Sequence, residues 1–132
     1  MTRMRILVVD DRFESRWGLA DWLVAFLEAV AVESAASAAE ALQAIERRMP
    51  DVVLVTHPLP GVKDMDLARH IKALPVPPLV VLMTDRNDAA LEQACEAARV
   101  DFWLEKRHLQ ARLFSFLQQR FTLRLIPTRS FS

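Results

Sequence analysis

The sequence predicts an α/β domain built on a five-stranded, doubly wound parallel sheet. Short runs of branched apolar residues alternate with helix-period patterns five times along 132 residues. The strongest of those runs show no inside/outside alternation, which marks strands buried on both faces. Acidic, basic or hydroxyl residues close the runs, where a parallel sheet places its functional crevice.

The first strand is 4–9 (MRILVV), bounded by charge. A helix follows from Phe13 to about Val30, with Trp17, Ala20, Val24 and Leu27 at helical spacing. Residues 31–35 make a short, weak strand suited to a sheet edge. Ser37 with Glu40 three positions on forms a capping box, opening a helix that carries Ala38, Leu42 and Ile45 and runs to Met49. Pro50 ends it, and 51–55 (DVVLV) is the clearest strand in the chain. Two prolines and a glycine make 57–61 a loop. A short helix over 65–74 is broken by Pro75, Pro77 and Pro78 before the fourth buried strand, 79–83 (LVVLM). Asn87 or Asp88 caps a helix bearing Leu91, Ala94, Cys95 and Ala98; a brief fifth strand, 101–104, and a last helix from about His108 to Arg120 complete the pattern.

Composition narrows the function. Lys plus Arg and Asp plus Glu are 17 each, for a net charge of zero, so no global field favours nucleic acid or anionic lipid. Direct nucleic-acid binding and membrane association are therefore not expected. The single cysteine, Cys95, has no internal partner, and no apolar run reaches the roughly 18 residues of a membrane span. The N-terminus enters a strand without a signal-peptide layout, so the expected location is the cytoplasm. There are two glycines, Gly18 and Gly61, and neither lies after the first strand. That turn reads Asp10-Asp11-Arg12-Phe13, acidic where a dinucleotide, flavin or P-loop site needs glycine for close approach of a phosphate. Such a turn suits cations.

The residues at the carboxyl ends of the strands carry a resemblance. Asp10-Asp11 after the first strand, the stretch 50–67, Thr84 after the fourth strand and Lys106 after the fifth resemble a response-regulator receiver domain of two-component phosphorelays, over about residues 4–117. The resemblance implies a flavodoxin-like (βα)5 fold with strand order 2-1-3-4-5, and no enzyme activity in the ordinary sense. Receivers take a phosphoryl group from a histidine kinase onto an aspartate that ends the third strand. Adjacent carboxylates hold Mg2+, the aspartate attacks as nucleophile, a lysine and a hydroxyl meet the phosphoryl oxygens, and an aromatic side chain relays the change.

By that resemblance, Asp10 and Asp11 match the metal-side acids, Thr84 the switch hydroxyl, Trp103 the aromatic and Lys106 the lysine. Pro60-Gly61 match the Pro-Gly of the third loop. The acceptor position is Thr56, not aspartate. A neutral hydroxyl is a poor nucleophile without a base and gives the metal no carboxylate. Asp85 stands where a small residue leaves room for the phosphoryl group, and Arg107 stands where proline follows the lysine. A cis bond before Arg107 would cost about 3 kcal/mol, so a trans bond and a rearranged fifth loop are expected. Asp10, Asp11 and Lys106 sum to −1, and Lys106 is expected to bridge the two acids. No cofactor is required, and Mg2+ binding is expected to be weak or absent.

These expectations describe a pseudo-receiver over 1–121 that signals through a protein partner without phosphorylation, followed by a tail or linker over 122–132. The competing reading is a working acceptor that uses Asp10, Asp11 or Asp85, or modification of Thr56 itself. His57 is read as a loop residue, Cys95 as a small buried hydrophobe, and Trp17 and Trp22 as core or helix-surface residues. In the last helix Leu109, Leu113, Phe116 and Leu117 form a core face. Phe114, Phe121, Leu123, Leu125 and Ile126, interleaved with Arg112, Arg120 and Arg124, fall partly outside it. They either pack back on the domain or form an interface. The resemblance implies a homodimer through the fourth helix, fifth strand and fifth helix.

Overall fold

The computed structural model describes residues 3–121. Strands β1 (Met4–Val9), β2 (Val30–Ala35), β3 (Val52–His57), β4 (Leu79–Thr84) and β5 (Phe102–Glu105) form one parallel sheet. Their order is β2-β1-β3-β4-β5, the order that the resemblance implied. Helices α1 (Phe13–Phe26), α2 (Ala38–Arg47), α3 (Asp66–Lys72), α4 (Ala89–Ala97) and α5 (Leu109–Arg120) alternate with the strands.

The absence of alternation in the strands reflects cover on both faces. Even-numbered residues Ile6, Val8, Val52 and Leu54 pack with Leu19 and Leu23 of α1 and Leu113 and Leu117 of α5. Odd-numbered Leu7, Val9, Val53 and Val55 pack with Ala41 and Ile45 of α2, Ile71 of α3 and Cys95 of α4. Each sheet face thus carries its own part of the core, and the weak strand β2 lies at an edge as the sequence suggested.

Helix α1 departs from the predicted phase. Leu19, Leu23 and Leu27 are buried, whereas Phe13, Trp17 and Val24 are 66%, 62% and 54% exposed. Apolar residues occupy nearly the whole circumference of this helix, so periodicity alone does not fix which stripe faces the sheet. The helix also stops at Phe26, before the predicted Val30, because β2 begins at Val30 after a left-handed Ala29 (φ 56°). Trp22 packs against the core and Trp17 faces solvent.

The caps follow the sequence closely. Ser37 Oγ accepts from the Glu40 amide at 3.2 Å, and Glu40 Oε1 accepts from the Ala36 amide at 3.1 Å. Asp88 rather than Asn87 caps α4, accepting from the Leu91 amide at 2.8 Å. Strand β3 continues through Thr56 to His57, so the loop begins one residue later than predicted. It begins with a cis bond at His57-Pro58, and Gly61 adopts a left-handed φ of 81°. Below the sheet, Asp101 Oδ2 takes Lys72 Nζ at 2.7 Å and the Val80 amide at 2.8 Å, pinning α3 to the starts of β4 and β5.

In α5, Leu113, Phe116 and Leu117 are buried and Leu109 is half-buried. Phe114 and Phe121 pack against the same cluster, so they belong to the domain's own core. Phe102 stacks on Phe116 at 4.7 Å between centroids, with Arg112 and Arg120 over the two rings. Leu123, Arg124, Leu125, Ile126 and the tail expected over 122–132 lie outside the described residues.

Candidate functional site

The carboxyl edge of the sheet gathers the residues that the sequence singled out. Parallel register sets His57 beside Thr84 and Thr84 beside Glu105, while Asp10 directly follows β1. Asp10, Thr56 and Thr84 are 3%, 3% and 4% exposed, and they are the buried polar side chains among the described residues. Each has come to this edge because apolar strands carry it there.

Asp10 holds its own turn with one carboxylate oxygen and its carbonyl. Its Oδ1 accepts from the Arg12 amide at 2.9 Å, an Asx turn, and its carbonyl accepts from Arg16 Nη1 at 2.9 Å. Asp11 is exposed. Thr84 Oγ1 donates to the Arg86 carbonyl at 3.1 Å and accepts from the Arg86 amide at 3.3 Å, so it closes the loop after β4. Thr56, next to last in its strand, carries a hydroxyl that has no hydrogen-bond partner among the described residues.

Lys106 does not bridge Asp10 and Asp11, contrary to the expectation from charge. It forms no ion pair among the described residues. Two local features explain this. The chain leaves β5 through a 3-10 turn, Lys106–His108, that sets the lysine at a crevice between α1 and α5. One oxygen of the Asp10 carboxylate is meanwhile turned to the Arg12 amide, and Asp11 lies out in solvent.

The rearranged fifth loop is built by Arg107. Its peptide bond is trans, the one cis bond among the described residues being His57-Pro58. Arg107 Nε donates to Glu105 Oε2 at 2.5 Å, and Glu105 Oε1 accepts from the Asn87 amide at 3.3 Å. Glu105 thereby ties the loop after β4 to the loop after β5. The Arg107 hydrogen bond, with the Asn87 amide behind it, holds the Glu105 carboxyl below the usual range. Sequence reading missed Glu105 and Asn87 in this role. The signal available was Glu105 two residues before Arg107, the spacing at which a strand end and a turn bring two side chains together.

Asp85 is exposed and lines an open cavity of about 600 Å3 between the starts of α3 and α4, with His57, Asp64, Arg69 and Arg86. Burial lowers the His57 imidazole below its ordinary value of 6.5, partly opposed by Asp64. Trp103 is half-buried against the cluster under α4, beside a shallow cavity of about 520 Å3 that Glu92, Arg107 and Arg112 also line.

The donor set offers the Mg2+ that the resemblance implies two adjacent carboxylates, one fewer than a receiver with an acceptor aspartate. Asp10 gives one carboxylate oxygen to the Arg12 amide, Asp11 is exposed and Thr56 is neutral. No group of three or more metal-ligating side chains occurs among the described residues. Magnesium keeps several waters and takes one or two carboxylates, so Asp10 and Asp11 are the groups that would hold it here, without the third carboxylate of an acceptor aspartate.

Comparison with known proteins bears on the fold and the family. The family model of the response regulator receiver domain matches residues 6–118. The chain is 31% identical over 100 residues to the transcriptional activator protein ExaE of Pseudomonas putida, covering 75% of this chain and 47% of that protein. It is 35% identical over 91 residues to the positive alginate biosynthesis regulatory protein of Pseudomonas aeruginosa, covering 67% of this chain and 36% of that protein. Among solved structures, the chemotaxis response regulator CheY4 of Vibrio cholerae superposes with a TM-score of 0.79 at 21% identity, over 91% of this chain and 100% of that one. The signal receiver domain of a DNA-binding response regulator from Colwellia psychrerythraea gives 0.81 at 19% identity, over 89% and 97%.

Proposed function

Since the chain belongs to the response regulator receiver family of two-component signalling, we propose that it is a pseudo-receiver that acts by protein contact, independently of phosphorylation. One observation supports the reading: Thr56, buried next to last in β3, is neutral at the position that the resemblance gives to the acceptor. Acyl phosphate formation needs a carboxylate there, and a threonine hydroxyl needs a base to become nucleophilic. His57 is adjacent in sequence, but the strand pleat sends successive side chains to opposite faces. Lys106 and Thr84, which would meet phosphoryl oxygens, serve a crevice and a turn instead. Neither catalysis nor a bound metal is part of this function.

The partner surface in this reading is the face of α4, β5 and α5. The Glu105 tie fixes the loops bordering it, and Glu92, Arg107 and Arg112 give it both signs of charge. A second copy is the partner most easily tested, by light scattering at increasing concentration; a protomer mass throughout would remove the homodimer. A heterologous protein would then be the partner. The chain spans 47% and 36% of the two relatives above, so any output beyond this domain is outside the proposal.

Incubation with Mg2+ and acetyl phosphate, followed by intact-mass measurement, tests the central claim. The expected result is no added phosphate while an authentic receiver alongside is labelled. A stoichiometric gain of one phosphate would sink the claim and support an acceptor at Asp10, Asp11, Asp85 or Thr56. Thr56→Asp restores the missing carboxylate. Labelling of that variant alone would place the block at this residue.

A further inference from the structure

A crevice of about 300 Å3 opens between α1 and the start of α5. Its floor is apolar, formed by Leu19 and Met83, both buried, with Trp22 and Leu109 packed beside them. Gly18 keeps it open: a β-carbon there would meet nothing within 4 Å, so the glycine leaves space and does not relieve a clash. The volume is at the lower end of the range for small-molecule sites, which combine apolar walls with a few placed polar groups.

The polar groups here carry a distinctive charge pattern. Lys106 is half-buried at the crevice, and its ammonium has no hydrogen bond or ion pair among the described residues. Asp10 and Glu14 also line it. Two acids and one lysine sum to −1. A simple monoanion would satisfy Lys106 but be repelled by the two carboxylates, and a simple amine would satisfy the acids but leave Lys106 unmatched. A molecule with both charges meets Lys106 with its anion and gives the two acids one cation between them. From this pattern we infer that the α1/α5 crevice binds a small zwitterion with an apolar side chain, of the amino-acid class. Its carboxylate meets Lys106, its ammonium meets Asp10 and Glu14, and its side chain lies on Leu19, Met83 and Trp22. Such a ligand joins α1 to the loop after β5. It would give the domain an input that needs no phosphoryl chemistry.

Glycine content supplies the assay. The chain has two glycines, Gly18 in the crevice and Gly61 in the loop after β3, so their amide resonances form a probe and an internal control. Nitrogen-15-labelled protein titrated with L-phenylalanine to about 10 mM is expected to show a saturable shift of Gly18 with Gly61 unmoved. Phenylacetate and phenethylamine, each lacking one charge, are expected to bind at least about tenfold more weakly. Lys106→Met is expected to lose the Gly18 response, and Gly18→Leu to lose calorimetrically detected binding by filling the crevice. Three outcomes would overturn the inference. They are a Gly18 resonance that does not saturate, phenylacetate binding as tightly as phenylalanine, or unchanged binding in a folded Lys106→Met or Gly18→Leu variant. Should one variant fail to fold, the other and the ligand series decide the matter.

Discussion

Thr56 and His57 are consecutive on β3, yet one is 3% exposed and the other borders an open cavity. The difference gives His57 a titration that stability can report. Burial lowers its folded-state pKa below the ordinary 6.5, against a smaller opposing effect of Asp64. The unfolded chain therefore binds this proton at higher pH than the folded chain does. The contribution to stability is present above 6.5 and is lost as pH falls through the lowered value. Urea midpoints at about pH 7 and about pH 5.5 should show stability falling on acidification, and His57→Gln should flatten that part of the decline. A contrasting residue is Asp101, whose carboxylate holds both Lys72 and the Val80 amide below the sheet. Asp101→Ala strands a half-buried ammonium and an amide, and a loss of roughly 3 kcal/mol is expected from denaturant unfolding. A loss under about 0.5 kcal/mol would mean that water replaces the carboxylate readily.

At the scale of single elements, the two glycines should respond to alanine in opposite directions. Gly18 lies inside α1 with open space around it, so Gly18→Ala should stabilise the domain by roughly 0.5 to 1 kcal/mol. Gly61 holds a φ of 81° in the loop after β3, and Gly61→Ala should destabilise by about 1 kcal/mol. Thermal midpoints moving the same way would refute this backbone argument. Which elements exist was legible because Pro50 and the prolines at 75–78 punctuate the chain and the runs MRILVV and LVVLM cannot be half-exposed. Strand ends were less legible. Thr56, His57, Thr84 and Glu105 complete their strands with polar residues that no apolar pattern marks. The phase of α1 was illegible for the opposite reason. With apolar side chains all round, Trp17–Ala20–Val24 and Leu19–Leu23 read equally well, and only the fit against β1 and α5 chooses. The position of Lys106 depends on a 3-10 turn whose course Arg107 and Glu105 set together, a tertiary fact that charge counting does not contain.

Across the whole molecule, the two faces of the sheet are separate cores joined only by the strands between them. Cys95 sits in the core under α2, α3 and α4, and burial together with Glu92 pushes its thiol up to about 11. It is therefore expected to resist a disulfide-exchange reagent at neutral pH and to react only when that core opens. The labelling rate should rise with urea in step with unfolding; rapid labelling in native buffer would mean that the α4 side opens on its own.

The outward stripe of α1 has a consequence for handling the protein. Phe13, Trp17 and Val24 face solvent on a chain with a sequence pI near 6.8, so near neutral pH little net repulsion keeps those stripes apart. Colloidal behaviour should therefore have a solubility minimum close to pH 7, earlier salting-out by ammonium sulfate than for a Trp17→Glu variant, and longer retention on a phenyl column.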